Sequence, residues 1–300
     1  MKQEIIHIMP LRLRKEIEKI LYERQEAEEI RIRIGQPVEI RCGSKSIWLP
    51  ECITEGELEE MLVFISEYSV YAYEEEIRQG YLTIEGGHRI GFAGQIRMEN
   101  GKVMRMTNIR FLNIRIAREK KDCAKSILPW LYENGQVLNS LLISPPGIGK
   151  TTFLRDCIRL ISNGMPKYPG KKVCVIDERS EIGACHRGIP QNDLGQRTDI
   201  LDNCPKTEGM MMALRSMSPE VIAVDELGGR ADCDAVEQIL LSGCRVLGTM
   251  HGDKPENILK KREFQWLTEK ALFQRYILLS REENGERGFH IYNQELKQLC

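Results

Sequence analysis

The sequence predicts two domains: a smaller α+β domain, then an α/β domain built on a mostly parallel sheet. Short runs that alternate apolar and charged residues recur through the first 118 residues, as in half-buried strands. From Ser140 onward, continuous apolar runs alternate with amphipathic segments long enough for helices. That change is typical of a sheet covered by helices on both faces. We place the first domain at 1–118, a linker with a short helix at 119–138, and the second domain at 139–300.

The composition is that of a globular protein, with 42% apolar and 29% charged residues and a formal net charge of −1. A length of 300 residues suits two domains that each bury a core. No apolar run is long enough to span a membrane or to serve as a signal peptide, so we expect a cytoplasmic protein. The ten cysteines include no Cys-x-x-Cys pair, and we expect neither a disulfide framework nor a metal site made of side chains alone.

The first domain begins with a helix at 11–23, where Leu13, Ile17 and Leu21 share one face. Thr54 and Glu57 have the spacing of a capping box and predict the start of another helix. The remaining predicted elements are strands near 30–34 and 38–42, a helix at 70–79, strands at 81–85 and 88–92, and a hairpin of strands 95–98 and 102–106 joined by Asn100-Gly101. A short helix at 124–132 then leads to the second domain.

The second domain begins with an apolar strand at 141–143, a turn rich in proline and glycine, and a helical pattern that starts after Gly149-Lys150-Thr151. Strand, loop and helix in this order are the context of a phosphate-binding loop. The glycines allow backbone N–H groups to surround phosphate oxygens, and the helix N-terminus adds a favourable partial charge. The residues predicted to bind the nucleotide are Ser144, Pro145, Pro146, Gly147, Ile148, Gly149, Lys150, Thr151 and Thr152.

Within this loop, Lys150 is expected to reach the β- and γ-phosphates, Thr151 to ligate Mg²⁺ and Thr152 to contact the α-phosphate. Ser144 stands where the pattern has glycine, and we expect an altered loop geometry with binding retained. A chance Gly/Pro turn with a lysine is the alternative, but it does not account for the strand before the loop and the helix after it. We therefore predict that the chain binds ATP with Mg²⁺.

Two further apolar strands end in carboxylates, one before Asp225-Glu226 and the other before Asp177-Glu178. A carboxylate at such a strand end lies beside the Mg²⁺ of a phosphate loop, usually through a water molecule. Both strands compete for this role. We favour Asp225 as the metal residue and Glu226 as the group that orients or deprotonates the attacking water, and we give Glu178 a supporting catalytic place.

A fourth apolar strand, at 244–248, leads to His251, which we expect to face the γ-phosphate and to sense its loss. Phosphoryl transfer also needs a cation near the transferred group, usually an arginine. The candidates at the end of the first domain are Arg89, Arg110, Arg115 and Arg118. Of these, Arg89 and Arg115 are the first to test.

The chain resembles the stage III sporulation protein AA family, a branch of the secretion-ATPase superfamily. The resemblance extends over nearly the whole chain, and its first-domain segments are the more discriminating because phosphate loops occur in many proteins. The matching segments are 29–35, 68–72, 80–89 and 113–118 in the first domain, and 144–152, 177–182, 218–226 and 249–252 in the second. The last four resemble the Walker A, Asp box, Walker B and His box of secretion ATPases.

The resemblance implies a RecA-like P-loop ATPase in the mother cell of an endospore-forming bacterium, where it powers or gates a secretion-like channel to the forespore. It further implies a homo-oligomeric ring, usually a hexamer, in which first-domain arginines complete the neighbour's ATP site. The implied partners are membrane channel proteins of the sporulation apparatus. Secretion ATPases often carry an arginine shortly after the Walker B glutamate, whereas here Leu227-Gly228-Gly229 come before Arg230.

The sequence leaves three hypotheses open. The first is an ATP-hydrolysing motor for a membrane channel. The second is a scaffold whose assembly is driven by ATP binding rather than hydrolysis, with Ser144 as its only hint. The third is a nucleic-acid translocase, since related ring ATPases include helicases; the near-neutral charge and the lack of a basic, aromatic-rich face count against it, and we expect no nucleic-acid partner.

Overall fold

The computed structural model describes residues 3–24, 26–66, 77–78, 80–253, 271–281 and 287–300. Contacts within the chain divide it into two compact units, Met1–Arg118 with Ala184–Arg187, and Glu119–Gly183 with Gly188–Cys300. Each unit has its own buried apolar core. The helix predicted at 70–79, apart from residues 77 and 78, and the matching segment 68–72 lie outside the described residues.

The first unit is an antiparallel sheet with a core of helical and strand residues. Its elements are α1 Gln3–Ile8, α2 Leu11–Glu23, β1 Ala27–Arg33, β2 Pro37–Cys42, β3 Lys45–Cys52, α3 Glu55–Ile65, β4 Tyr81–Thr83, β5 Arg89–Glu99 and β6 Lys102–Arg115. The strands are ordered β3-β2-β1-β6-β5-β4, and every neighbouring pair is antiparallel. Ile30 and Ile32 are fully buried while Arg31 between them is partly exposed, because side chains alternate along a strand.

Local sequence signals explain these elements. The helix predicted at 11–23 is confirmed, with Leu13, Ile17 and Leu21 buried on one face. The predicted capping box is also present, since the Thr54 side chain accepts from the Glu57 N–H while the Glu57 carboxylate accepts from the Thr54 N–H. Nearby Arg12 donates to the same carboxylate, and its hydrogen bonds lower the pKa of Glu57 to about 2 although partial burial opposes this.

The second unit is a three-layer α/β structure. Its elements are β7 Tyr132–Glu133, β8 Gln136–Val137, β9 Ser140–Ser144, α4 Lys150–Asn163, β10 Val173–Asp177, β11 Thr198–Asp202, α5 Lys206–Ser216, β12 Val221–Val224, α6 Arg230–Leu241, β13 Arg245–His251, β14 Arg275–Arg281 and β15 Arg287–Asn293. The main sheet has the order β11-β10-β12-β13-β9-β14-β15, and only the β14–β15 pair is antiparallel. Helix α4 packs on one face, and α5 and α6 pack on the other. The predicted mostly parallel α/β fold is confirmed.

Two expectations about elements need correction. The α-helix predicted at 124–132 is wrong: Leu128–Leu131 forms a short 3₁₀ helix, and Tyr132 already belongs to β7. Pro129 explains the difference, because it has no N–H to donate and its ring hinders a regular helix. The sequence analysis also missed β11 and the β14–β15 hairpin, although β14 pairs directly with the strand that precedes the phosphate loop.

Candidate nucleotide site

The candidate site lies where parallel strands of the second unit end. Strand β9 pairs with β13, and Ser144 and His251 are register partners. Strand β13 also pairs with β12, and the last paired residue of β12 directly precedes Asp225. Because parallel strands have their carboxyl ends at the same edge of the sheet, residues distant in sequence meet there. The phosphate loop, Asp225-Glu226 and His251 are thereby brought together.

The loop has the backbone that phosphate binding requires. Gly147 and Gly149 have φ angles of 80° and 94°, a region that residues with a side chain rarely adopt. A Cβ added at Gly147 would meet nothing within 4 Å, so its backbone angle, not lack of space, requires glycine there. Helix α4 begins directly after Gly149, and its first N–H groups face the loop as an anion site needs.

Ser144 is accommodated because it acts as a strand residue. It is fully buried as the last residue of β9, and its φ is not positive, so this position does not need glycine. Its hydroxyl donates to the Pro145 carbonyl at 3.0 Å, and its own carbonyl accepts from the Gly252 N–H at 3.1 Å. The departure from the usual pattern therefore falls on the strand that precedes the curled part of the loop, 145–149, and the altered loop geometry expected from the sequence stays a prediction.

Four predicted residues form a polar cluster behind the loop. The Lys150 ammonium is 3.5 Å from Asp225 Oδ1 and 3.6 Å from Glu226 Oε1, and its side chain is only 5% exposed. The Thr151 hydroxyl donates to Asp225 Oδ2 at 2.6 Å. A hydroxyl and a carboxylate are the hard oxygen donors that Mg²⁺ prefers, so Thr151 and Asp225 fit a magnesium site. Thr152, in the first turn of α4, is half-buried.

Thr249, which was not predicted as a site residue, connects the Asp225 carboxylate to the Glu226 backbone. Its fully buried hydroxyl donates to Asp225 Oδ1 and accepts from the Glu226 N–H at 2.9 Å. The neighbouring Leu227 N–H donates to the Thr249 carbonyl at 2.8 Å. A polar residue inside the buried run of β13 is the signal that identifies it.

Glu226 has an unusual backbone and three cationic or hydrogen-bonding neighbours. Its φ is 56°, in the left-handed region. His251 Nε2 lies 2.8 Å from Oε1, and since a carboxylate only accepts, that nitrogen carries the proton; its 3.4 Å contact with Lys150 is then not a hydrogen bond. Partial burial raises the pKa of Glu226, but the His251 hydrogen bond and the charges of Lys150 and Arg179 outweigh it and leave the pKa below its ordinary value.

Arg179 is the second residue that the sequence analysis passed over. Its guanidinium nitrogen Nη1 lies 3.0 Å from Glu226 Oε2. It belongs to the segment after β10 that resembles the Asp box, so the motif identified its neighbourhood, but only the strand order shows which carboxylate it meets.

Three predicted catalytic residues have other surroundings. Glu178 is exposed and pairs with Lys206 at 2.8 Å. Arg89 and Arg115 belong to the first unit, where they are direct cross-strand partners on β5 and β6. The guanidinium carbon of Arg89 lies 3.4 Å from the centre of the Tyr81 ring, a cation–π geometry. The catalytic roles of these three residues stay predictions.

Residues 1–299 match the family model described as "Sporulation stage III, protein AA". The chain belongs to this family. It is 43% identical over 293 residues to the stage III sporulation protein AA of Bacillus subtilis (strain 168), a match that covers 97% of this chain and 95% of that protein. It is also 33% identical over 161 residues, 52% of this chain, to the ycf45 protein of Cyanidium caldarium.

Two solved structures with a similar fold are a pilus retraction motor and an ATPase. The pilus retraction motor PilT, solved with bound ADP, has a TM-score of 0.64 at 19% identity and covers 92% of this chain and 81% of its own. The Legionella pneumophila ATPase DotB has a TM-score of 0.59 at 15% identity, with coverages of 92% and 79%. These likenesses establish the fold of this family member. No helix in its described residues is long and apolar enough to cross a bilayer.

Proposed function

We propose that this member of the sporulation stage III protein AA family is an ATPase that acts as the motor or gate of a secretion-like channel. The observation that carries the proposal is the cluster of Lys150, Thr151 and Asp225 beside Glu226 and His251. A loop that fits a triphosphate, oxygen donors that fit Mg²⁺ and a carboxylate placed to activate water are the parts that phosphoryl transfer to water needs.

Each residue has a distinct task in this proposal. Bound ATP with Mg²⁺ supplies the phosphoanhydride bond and the metal charge that stabilises the leaving phosphate. Lys150 and the backbone N–H groups of 147–152 bind the phosphates, while Thr151 and Asp225 hold the metal. Glu226 accepts a proton from the water or orients it, and His251, hydrogen-bonded to Glu226, links that carboxylate to the γ-phosphate position.

The cellular role rests on the family and on the fold. The Bacillus subtilis relative is a stage III sporulation protein, and PilT and DotB are a pilus retraction motor and an ATPase. We therefore propose a cytoplasmic protein of the mother cell that works as a homo-oligomeric ring, with a hexamer as the expected size. In this proposal membrane channel proteins of the sporulation apparatus are its partners, and Arg89 and Arg115 complete the site of a neighbouring subunit.

ATP turnover by purified protein tests the central claim. Lys150→Ala and Glu226→Gln are both expected to abolish phosphate release, the first by weakening ATP binding and the second with binding retained. Matched controls are the variants Lys167→Ala and Glu208→Gln, which change exposed residues and are expected to keep full activity. Undiminished turnover in both site variants would refute the mechanism.

The scaffold hypothesis has one sequence hint, Ser144, which has an ordinary strand conformation. A complementation assay separates the two functions. Glu226→Gln protein that binds ATP without hydrolysing it is expected to fail to support sporulation. Normal sporulation with this variant would favour the scaffold.

A further inference from the structure

Glu226 is contacted at both carboxylate oxygens, by one residue at the end of β13 and by one in the loop after β10. His251, at the end of β13, contacts Oε1 at 2.8 Å. Arg179, in the loop after β10, contacts Oε2 at 3.0 Å. A carboxylate fixed at both oxygens has one orientation, whereas a single contact would leave it free to rotate about its terminal bond.

The loop that carries Arg179 is itself fixed to the nucleotide-binding helix. The buried Asp177 carboxylate accepts hydrogen bonds of 2.8 to 2.9 Å from the N–H groups of Glu181, Ile182 and Gly183. From the other side, Arg155 of α4 donates to the carbonyls of Glu181 and Ile182 at 2.8 and 2.7 Å. Since α4 begins at Lys150, the loop and the phosphate-binding residues belong to one hydrogen-bonded framework.

The arginine expected from the family pattern does not occupy this place. Arg230, four residues after Glu226, is the exposed first residue of α6, and the described part of the chain offers it neither an ion pair nor a side-chain hydrogen bond. Arg179 reaches Glu226 from the adjacent strand end instead. The positive partner of Glu226 thus comes from the loop after β10 and not from the start of α6.

We propose that Arg179 is a positioning residue for Glu226: it acts on ATP hydrolysis by fixing the orientation of that carboxylate toward the attacking water. The inference rests on the proposed hydrolysis and deepens it. A carboxylate misplaced by about 1 Å is expected to lose on the order of 100-fold in rate, so the effect belongs in kcat and not in ATP affinity.

The competing interpretation is an ordinary surface ion pair. The Arg179 side chain is 62% exposed, and exposed ion pairs usually contribute little to stability. If the contact is only a surface ion pair, replacing Arg179 is expected to leave the rate of ATP turnover unchanged. The two interpretations therefore differ in a measurable quantity.

The experiment compares Arg179→Ala, Arg179→Lys and the control Arg230→Ala by steady-state phosphate release and by binding of a fluorescent ATP analogue. We expect Arg179→Ala to lower kcat by about 10- to 100-fold with analogue affinity within about twofold. The lysine variant is expected to recover part of the loss. Millimolar guanidinium ion is expected to raise the rate of Arg179→Ala but not of the wild type, which a merely structural role does not predict.

A readout without turnover uses the coupling of the two residues. In nucleotide-free protein, the double variant Arg179→Ala/Glu226→Gln is expected to shift the unfolding midpoint by less than the sum of the shifts in the two single variants. Full kcat in Arg179→Ala, an equal loss of kcat in Arg230→Ala, or exact additivity of the midpoint changes would each overturn the inference. Absence of phosphate release by the wild type would refute the proposed function itself, and an active Glu226→Gln would refute the role of Glu226 on which the inference rests. Inactive Glu226→Gln beside fully active Arg179→Ala would refute only the role of Arg179.

Discussion

Thr249 shows how one hydroxyl at the residue scale orders a site. It donates to Asp225 Oδ1 and accepts from the Glu226 N–H, so removing it disturbs the Asp225 carboxylate and the Glu226 backbone. Thr249→Val keeps the shape of the side chain but introduces a methyl group next to the half-buried Asp225 carboxylate. We expect the free energy of unfolding in urea to fall by about 1–3 kcal/mol, because that carboxylate loses a hydrogen bond, and hydrogen bonds to charged groups contribute about this much.

The control for this change is Ser216→Ala, which removes an exposed hydroxyl that donates to the Met212 carbonyl at the end of α5. It is expected to change the free energy of unfolding by less than about 0.5 kcal/mol. Equal effects of the two substitutions would show that the Thr249 hydroxyl is not a structural link between Asp225 and the Glu226 backbone.

At this scale, the residues with a local motif were predictable. Lys150, Thr151 and Asp225 have fixed spacings from glycines or from the end of an apolar run, and the structure brings them within hydrogen-bond or ion-pair distance. Arg179 and Thr249 have no such spacing relative to Glu226. Their contacts depend on which strands are neighbours in the sheet, which a single sequence does not specify.

At the scale of elements, the turn after β10 depends on one buried carboxyl group. Burial raises the pKa of Asp177 to about 6, and the negative charge of Asp202 on the neighbouring β11 adds to this, while hydrogen bonds from three backbone N–H groups oppose it. The folded state therefore binds a proton at a pH where the unfolded chain, with an ordinary Asp, has released it.

The higher pKa of Asp177 in the folded state predicts how stability depends on pH. As pH falls from about 7 to 4.5, the free energy of unfolding of the wild type is expected to rise relative to that of Asp177→Asn, by on the order of 2 kcal/mol. Above about pH 7 the difference between the two proteins is expected to be constant. Urea unfolding curves at several pH values measure it. Parallel stability profiles for the two proteins would contradict the prediction.

A second prediction at this scale concerns the close packing of β13 against the loop after β12. A Cβ added at Gly248 would lie 2.5 Å from Leu227 Cδ1, whereas one added at Gly228 would meet only the Glu226 carbonyl at 3.7 Å. We expect Gly248→Ala to lower the free energy of unfolding by about 1–3 kcal/mol through overpacking. Gly228→Ala is the matched control and is expected to be near neutral in the same urea titration.

The elements predicted correctly are those with a complete local signal. Helix α2 has an apolar stripe, α3 has its capping box, and the β5–β6 hairpin has its Asn-Gly turn. Strand β11 lacks such a signal, because its residues are at most half-buried at the edge of the sheet. A single proline was enough to turn the predicted helix at 124–132 into a 3₁₀ turn.

At the scale of the whole molecule, the proposed ring predicts that activity depends on assembly. If each ATP site is completed by a neighbour, specific ATPase activity is expected to rise with protein concentration until the ring is fully formed. Turnover measured over a dilution series, beside the molar mass from light scattering, checks this. Constant specific activity across the change from monomer to oligomer would contradict shared sites.

Mixing inactive variants gives a sharper test of which residue crosses between subunits. Lys150→Ala retains Arg115, and Arg115→Ala retains the phosphate loop, so a mixed ring contains some complete sites. We expect each variant to be inactive alone and the mixture to regain part of the wild-type rate. Failure of the mixture to recover, with mixed rings present, would assign Arg115 to another role. The same experiment with Arg89→Ala tests the second candidate.

The family and the fold of the whole chain were predictable because their motifs are spread along the full length, and the match to residues 1–299 confirms the family. Ring size and membrane partner were carried over from the family resemblance, since they depend on surfaces that no local motif encodes.

At Glu226, the residue type that the left-handed backbone favours differs from the one that the proposed catalysis needs. A φ of 56° costs a non-glycine residue on the order of 1 kcal/mol, so thermal stability alone would select glycine or asparagine at this position. A laboratory selection for thermal stability alone is therefore expected to replace Glu226 and to yield variants that are more stable but lack the proposed ATPase activity. If the proposed mechanism holds, the protein retains this small cost in stability at the residue that activates the water.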